Sequence, residues 1–197
     1  MDIRECPRGY SIVEALVTLF IVATVVTLSL ANYRTAQNAA LLRQTVVNVE
    51  GALRDAQQHA LAGTVADTGA TYGYGVHFDT TALPYTVYAD KDDDNDLFFD
   101  GEPTDFKFAN QPESRPAKIS LTIGVTGVCG SSNAVDVAFQ PPLPSVSIKK
   151  EADFVSDCDI ACLDLSLGGK TSRVKVTRES GLIETINNQD PAAGCST

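Results

Sequence analysis

Between Asp90 and Asp105 the chain sets eight carboxylates against one lysine, Lys91, and most of them fall in Asp90-Lys91-Asp92-Asp93-Asp94-Asn95-Asp96-Leu97-Phe98-Phe99-Asp100-Gly101-Glu102. Oxygen donors at alternate positions, Asp90, Asp92 and Asp94, suit Ca²⁺, a hard cation that takes about six to eight oxygen ligands. Asp96, Asp100 and Glu102 are the further candidate ligands. An EF-hand loop would have glycine where Asn95 stands and a bidentate glutamate where Gly101 stands. No helical pattern flanks the run, so the expectation is an EF-like loop joining two strands, closed by Asp100 or Glu102. A solvated acidic turn without metal is the alternative.

Other residue sets carry less chemistry. Beyond Cys6 stand Cys129, Cys158, Cys162 and Cys195, an even set that suits structural cystines in an oxidising compartment. Cys129 with Cys158 and Cys162 with Cys195 is the preferred pairing, since the second bridge would tie the Gly/Pro-containing tail to a strand. Cys158 and Cys162 lack the C-x-x-C spacing of a redox pair. His59 and His77 have no third nitrogen or thiol nearby by pattern, so both are read as surface or edge histidines and zinc is not expected. Lys170, Arg173, Lys175 and Arg178 could contact phosphate, with Arg173 and Lys175 on one strand face. No G-x-S-x-G, Walker loop, strand-borne G-x-G-x-x-G or H-E-x-x-H occurs, and nothing sets a nucleophile beside a base, so no enzyme activity is expected.

The elements that must carry these residues begin with an apolar run. No charged residue occurs from Ala15 to Ala31, and extending the run back to Tyr10 adds only Glu14. A membrane-spanning helix needs roughly 20 apolar residues, so this segment is long enough. A carboxylate deep in such a helix costs about 2.5–3.5 kcal/mol, so Glu14 calls for a partner or a position near the interface. Arg4 and Arg8 precede the run, and a cleaved secretory signal is the alternative. Leu42, Val46, Val49, Leu53, Ala56 and Ala60 then recur at spacings of four and three, one face of an amphipathic helix. No proline interrupts Tyr10 to Ala62, which predicts one helix of roughly 80 Å ending at Gly63.

After Gly63 the period falls to two. Tyr72 to Phe78, Tyr85 to Ala89, Ile119 to Val125, Val135 to Phe139, Cys162 to Leu167, Val174 with Val176, and Leu182 to Ile186 read as strands. Pro141, Pro142 and Pro144 stop the Val135 strand, while Gly168-Gly169 and Glu179-Ser180-Gly181 read as turns. The fold class is α+β, with one long N-terminal helix packed on antiparallel sheet. With 197 residues and a formal charge of -10, the chain is one modest domain whose field opposes wholesale coating of nucleic acid.

Arg8-Gly9-Tyr10-Ser11-Ile12-Val13-Glu14 at the head of the apolar run resembles the class III leader of type IV pilins and pseudopilins. The resemblance implies a pilin-like fold and cleavage by a prepilin peptidase after Gly9. Tyr10 would then be the methylated amino terminus, and Tyr is a mild departure from the Phe more common there. It also implies that Glu14 pairs with the terminal amine of a neighbouring subunit. The implied organisation is a cytoplasmic leader over 1–9, which removes Cys6, a transmembrane half-helix over 10–31, an amphipathic half over 32–62 and a β-rich external domain over 63–197.

Leu53-Arg54-Asp55-Ala56-Gln57-Gln58-His59-Ala60, Phe139-Gln140-Pro141-Pro142 and the hairpin from Gly169 to Gly181 are similar to segments of minor pseudopilins of the GspH/FimT type. Similar acidic loops also occur in that subgroup. The function implied is a minor subunit of a type IV pilus or type II secretion pseudopilus in the bacterial inner membrane. Its expected partners are other pilin subunits in a helical filament, the peptidase and the inner-membrane assembly platform. A DNA-capturing minor pilin of an uptake system is the alternative; nucleic acid is not the expected partner.

Overall fold

The computed structural model describes residues 11–63, 71–80, 85–91, 97–99, 105–107, 119–126, 133–141, 145–150 and 158–187. Two compact units divide the chain, residues 1–38 and residues 39–197. A single helix, α1 (Ile12–Ala62), contributes its first half to one and its second half to the other. Helix formation starts at Ser11, whose carbonyl accepts from the Ala15 amide at 3.1 Å. Glu14 lies in the first turn, where the positive end of the helix dipole favours a carboxylate. Termination falls at Gly63, whose φ of 57° is the left-handed conformation that glycine adopts without a side-chain clash.

In the second unit, the predicted stripe is the buried face of α1. Leu42, Val46, Val49, Leu53, Ala56 and Ala60 are all buried, joined by Ala52, whereas Arg43, Gln44, Arg54 and Gln58 are exposed. Fully burying a leucine such as Leu53 contributes about 1.5–3 kcal/mol, so this face is the helix's main anchor. Polar ties fix its register: Thr185 Oγ1 donates to Glu50 Oε2 at 3.0 Å, and Tyr85 OH to the Asn48 carbonyl at 3.3 Å.

Among the described residues nine strands follow: β1 (Gly73–Asp79), β2 (Thr86–Asp90), β3 (Asp105–Lys107), β4 (Ser120–Thr126), β5 (Ala134–Gln140), β6 (Ser145–Lys150), β7 (Ile160–Leu167), β8 (Lys170–Thr177) and β9 (Leu182–Asn187). They form two antiparallel sheets, a five-stranded one in the order β3-β2-β1-β5-β6 and a four-stranded one in the order β4-β7-β8-β9. The core lies where Tyr74, Val76 and Phe78 of β1, Val135, Val137 and Phe139 of β5, Leu163 and Leu165 of β7, and Val174 and Val176 of β8 meet the helix stripe. The α+β expectation holds. Sequence periodicity missed β3 and β6. Gly168 and Gly169, with φ of 60° and 79°, make the β7–β8 turn where the glycine pair predicts it.

Candidate functional site

Along α1 from Ile12 to Leu28 the apolar side chains stand open: Ile12, Leu16, Phe20, Val25 and Leu28 are all exposed. The helix is long and apolar enough to cross a membrane. Its hydroxyls are internally satisfied. Thr18 Oγ1 donates to the Ala15 carbonyl at 2.9 Å, Thr24 Oγ1 to Ile21 at 2.8 Å, Thr27 Oγ1 to Ala23 at 2.7 Å and Ser29 Oγ to Val25 at 2.9 Å. A hydroxyl turned back onto its own helix leaves no donor stranded in hydrocarbon. These residues therefore leave the apolar run unbroken, and Glu14 is the ionisable group between Ser11 and Ala31, as the sequence indicates. Gly9 and Tyr10 lie outside the described residues.

In chain order the acidic run lies between β2 and β3. Asp90 ends β2, is only 1% exposed, and is the register partner of Asp105 at the start of β3. Asp92, Asp94 and Asp96, with Asp100 and Glu102, lie outside the described residues. Among the described residues, no group of three or more His, Cys, Asp or Glu side chains converges on a metal position.

Between the two halves of the run, Leu97, Phe98 and Phe99 dock on the outer face of the five-stranded sheet. That face has room because small residues occupy it. Register aligns Lys107, Tyr88, Gly75, Ala138 and Ser147 in one row across five strands. A methyl group added at Gly75 would sit 2.5 Å from the Tyr88 ring, so Tyr88 lies flat over the glycine. One added at Gly73 would be 2.5 Å from a Leu97 methyl. Tyr88 OH donates to the Leu97 carbonyl at 2.8 Å and holds Leu97 at a φ of 60°, a conformation costly for a branched side chain. Phe99 packs against both the His77 and Tyr88 rings, with centroids 5.1 and 5.3 Å away. Lys107 and Lys149 reach within 5.3 and 5.2 Å of the Phe99 and Phe98 rings.

His77 is neither a surface nor an edge residue, as its pattern suggests. It stands on the central strand, and its Nδ1 lies 2.8 Å from Asp136 Oδ1, with side chains 18% and 3% exposed. His59 lies partly covered on α1, stacked on Tyr74 at 5.4 Å.

On the β7–β8 hairpin, Arg173 and Lys175 do share the face opposite Val174 and Val176. Arg173, however, is committed to its own chain. Its Nε and Nη2 donate to Asp164 Oδ1 and Oδ2 at 2.6 and 2.8 Å, and the residue is 7% exposed. These hydrogen bonds and the Asp164 charge hold the guanidinium above its ordinary value against the opposing effect of burial. Arg178 Nη2 donates to Asp159 Oδ1 at 2.9 Å. Lys170 is exposed and Lys175 half-buried. A phosphate-binding surface needs its arginines directed outward, and two of the four candidate cations are turned to carboxylates instead. Cys158 and Cys162 are buried and disulfide-bonded. Cys129 and Cys195 lie outside the described residues.

Comparison of the chain with protein-family models, curated proteins and solved structures finds no match.

Proposed function

We propose that the chain is a minor pilin or pseudopilin, a structural subunit of a type IV pilus or type II secretion pseudopilus. It is held in the bacterial inner membrane and assembled into a helical filament through α1. The observation that carries this reading is the uncovered apolar half-helix with its hydroxyls turned inward and Glu14 in its first turn. Such a surface is stable only in lipid or against neighbouring helices, and a carboxylate within it is best satisfied by a cation brought by a second subunit. The leader-like sequence from Arg8 to Glu14 supports the amine of Tyr10 as that cation. Prepilin peptidase and the assembly platform are the implied partners, with no enzymatic role for the chain.

Two secondary readings accompany it. Ca²⁺ is a structural ligand of the acidic connection, supported by the alternate carboxylates Asp90, Asp92 and Asp94 and by the backbone register of Asp90 with Asp105, which brings two acidic positions of the sequence level at its base. Cys129 bridges Cys158 and Cys162 bridges Cys195. The β4–β7 register supports the first bridge: Thr126 pairs with Ile160, so chain just past Thr126 is within reach of Cys158.

The test is the mass of the processed protein and its assembly. The mature chain is expected to start at Tyr10 with a methylated amine, and Gly9→Val should retain the leader. Glu14→Ala should insert in the membrane but stay out of filaments. A mature terminus beyond Ala31, or normal incorporation of Glu14→Ala, would defeat the proposal.

A further inference from the structure

A histidine on a central strand, next to a nearly inaccessible carboxylate and beneath an aromatic ring from a distant connection, is placed to couple proton binding to that connection. His77 faces Asp136 directly in the β1–β5 register and touches Phe99 through ring contact. We propose that His77 and Asp136 form a pH-sensitive latch that holds the Leu97–Phe99 strap against the five-stranded sheet more tightly in acid than at alkaline pH. The inference is independent of the filament reading and of any metal.

Histidine is the side chain whose charge changes between about pH 5 and 8. When the imidazole gains its second proton, the 2.8 Å hydrogen bond to the Asp136 carboxylate becomes an ion pair as well, and the Phe99 ring meets a cation instead of a neutral ring. The charged pair exists in acid and is lost as the pH rises through the imidazole titration.

The other charged and titratable groups around His77 set the sign. Asp79, two residues along β1 on the same face, favours the cation. Lys149 on β6, register partner of Asp136, and Lys107 on β3, whose amine lies 5.3 Å from the Phe99 ring, oppose it. Thr86 of β2, across from His77, carries no charge, and Tyr88 is occupied by its bond to Leu97. Asp136 is in direct contact, whereas Lys107 acts from beyond the aromatic ring, so attraction prevails. Phe99 transmits the result, because Leu97, Phe98 and Phe99 are one docked unit tied by the Tyr88 hydrogen bond.

Amide hydrogen exchange of the full chain in detergent micelles tests this, with rates at 97–99 divided by the chemical exchange rate at each pH. Protection in the wild type should be roughly five-fold greater near pH 5.5 than near pH 8, the order expected when a hydrogen bond gains the attraction of an ion pair. His77→Gln, which keeps a donor without the charge, should remove the difference, and His59→Gln should preserve it. Equal protection at both pH values in the wild type would overturn the proposal, as would a difference that survives in His77→Gln. Should His77→Gln fail to fold, the wild type decides. The chain has two histidines, so NMR resolves two imidazole titrations, assigned with His59→Gln. The strap's transition must share its midpoint with His77; a midpoint elsewhere refutes the latch.

Discussion

At position 75 the absence of a side chain is what lets Tyr88 lie flat across β1, with its hydroxyl on the Leu97 carbonyl. Gly75→Ala should therefore cost about 1–3 kcal/mol through overpacking, read as a lower midpoint in urea with unchanged slope. Tyr88→Phe keeps the ring and loses the hydrogen bond; about 1 kcal/mol is expected, with faster proteolysis near Leu97. Arg173→Ala should lower stability, since it strips a bidentate partner from Asp164, and should leave any affinity for duplex DNA unchanged at its low non-specific level. Tyr85 offers a pH test. Burial raises its phenol above the ordinary value, so the unfolded chain ionises first. Stability is then intact below about pH 10 and falls above it, a loss that Tyr85→Phe should reduce in alkaline melting curves. Some of this residue-level detail was legible: Gly73, Gly75 and His77 alternate with Tyr74, Val76 and Phe78, which marks them as the opposite face. What covers that face was not. The cover comes from Leu97 to Phe99, and local periodicity carries no information about a partner so far along the chain.

At the scale of elements, the helix was the most legible part, because a spacing of four and three sustained from Leu42 to Ala60 fits a period of 3.6 residues and breaks a period of two. Leu53→Ala should cost about 2–5 kcal/mol, and the thermal midpoint should drop accordingly, while Val47→Ala on the exposed side should change little. Most strands were legible for a parallel reason. The exceptions have physical causes. β3 is Asp-Phe-Lys, three residues too short to show a period, and it exists because the Asp90–Asp105 register closes a hairpin around the acidic run. β6 alternates Val146 and Ile148 with serines, but it directly follows the proline cluster that also ends β5. Division into two sheets was not legible at all, since strand order depends on which strands pair and periodicity reports only which face is buried.

Across the whole molecule, the charge of -10 is concentrated in one connection, so cation dependence should be concentrated there too. If Ca²⁺ joins Asp90 and Asp105 with carboxylates between them, chelation should lower the melting temperature, and Asp92→Ala with Asp94→Ala should abolish that sensitivity. A melting curve indifferent to calcium and chelator would leave a solvated acidic turn. Of the candidate site, the apolar run and Glu14 near its head were legible in residue types. Its state of satisfaction was not, because whether Thr24 points outward or back to the Ile21 carbonyl is a rotamer choice invisible to sequence.

The contacts between the helix and the last hairpin bear on how the molecule is made. Glu50 and Gln57 are bonded to Thr185 and Gly181, residues more than a hundred positions later in the chain. β4, meanwhile, leaves the first sheet's run of strands to join β7, and β5 then returns to pair with β1. Neither sheet can therefore be completed from a contiguous stretch, and the apolar face of α1 is only partly covered until β8 and β9 have been delivered. Closing such separated contacts is slow and all at once. A chain emerging from the ribosome thus carries two exposed greasy surfaces on one helix for most of its synthesis. One stays exposed even in the finished fold, and the other must wait, guarded from aggregation, for the final residues to arrive.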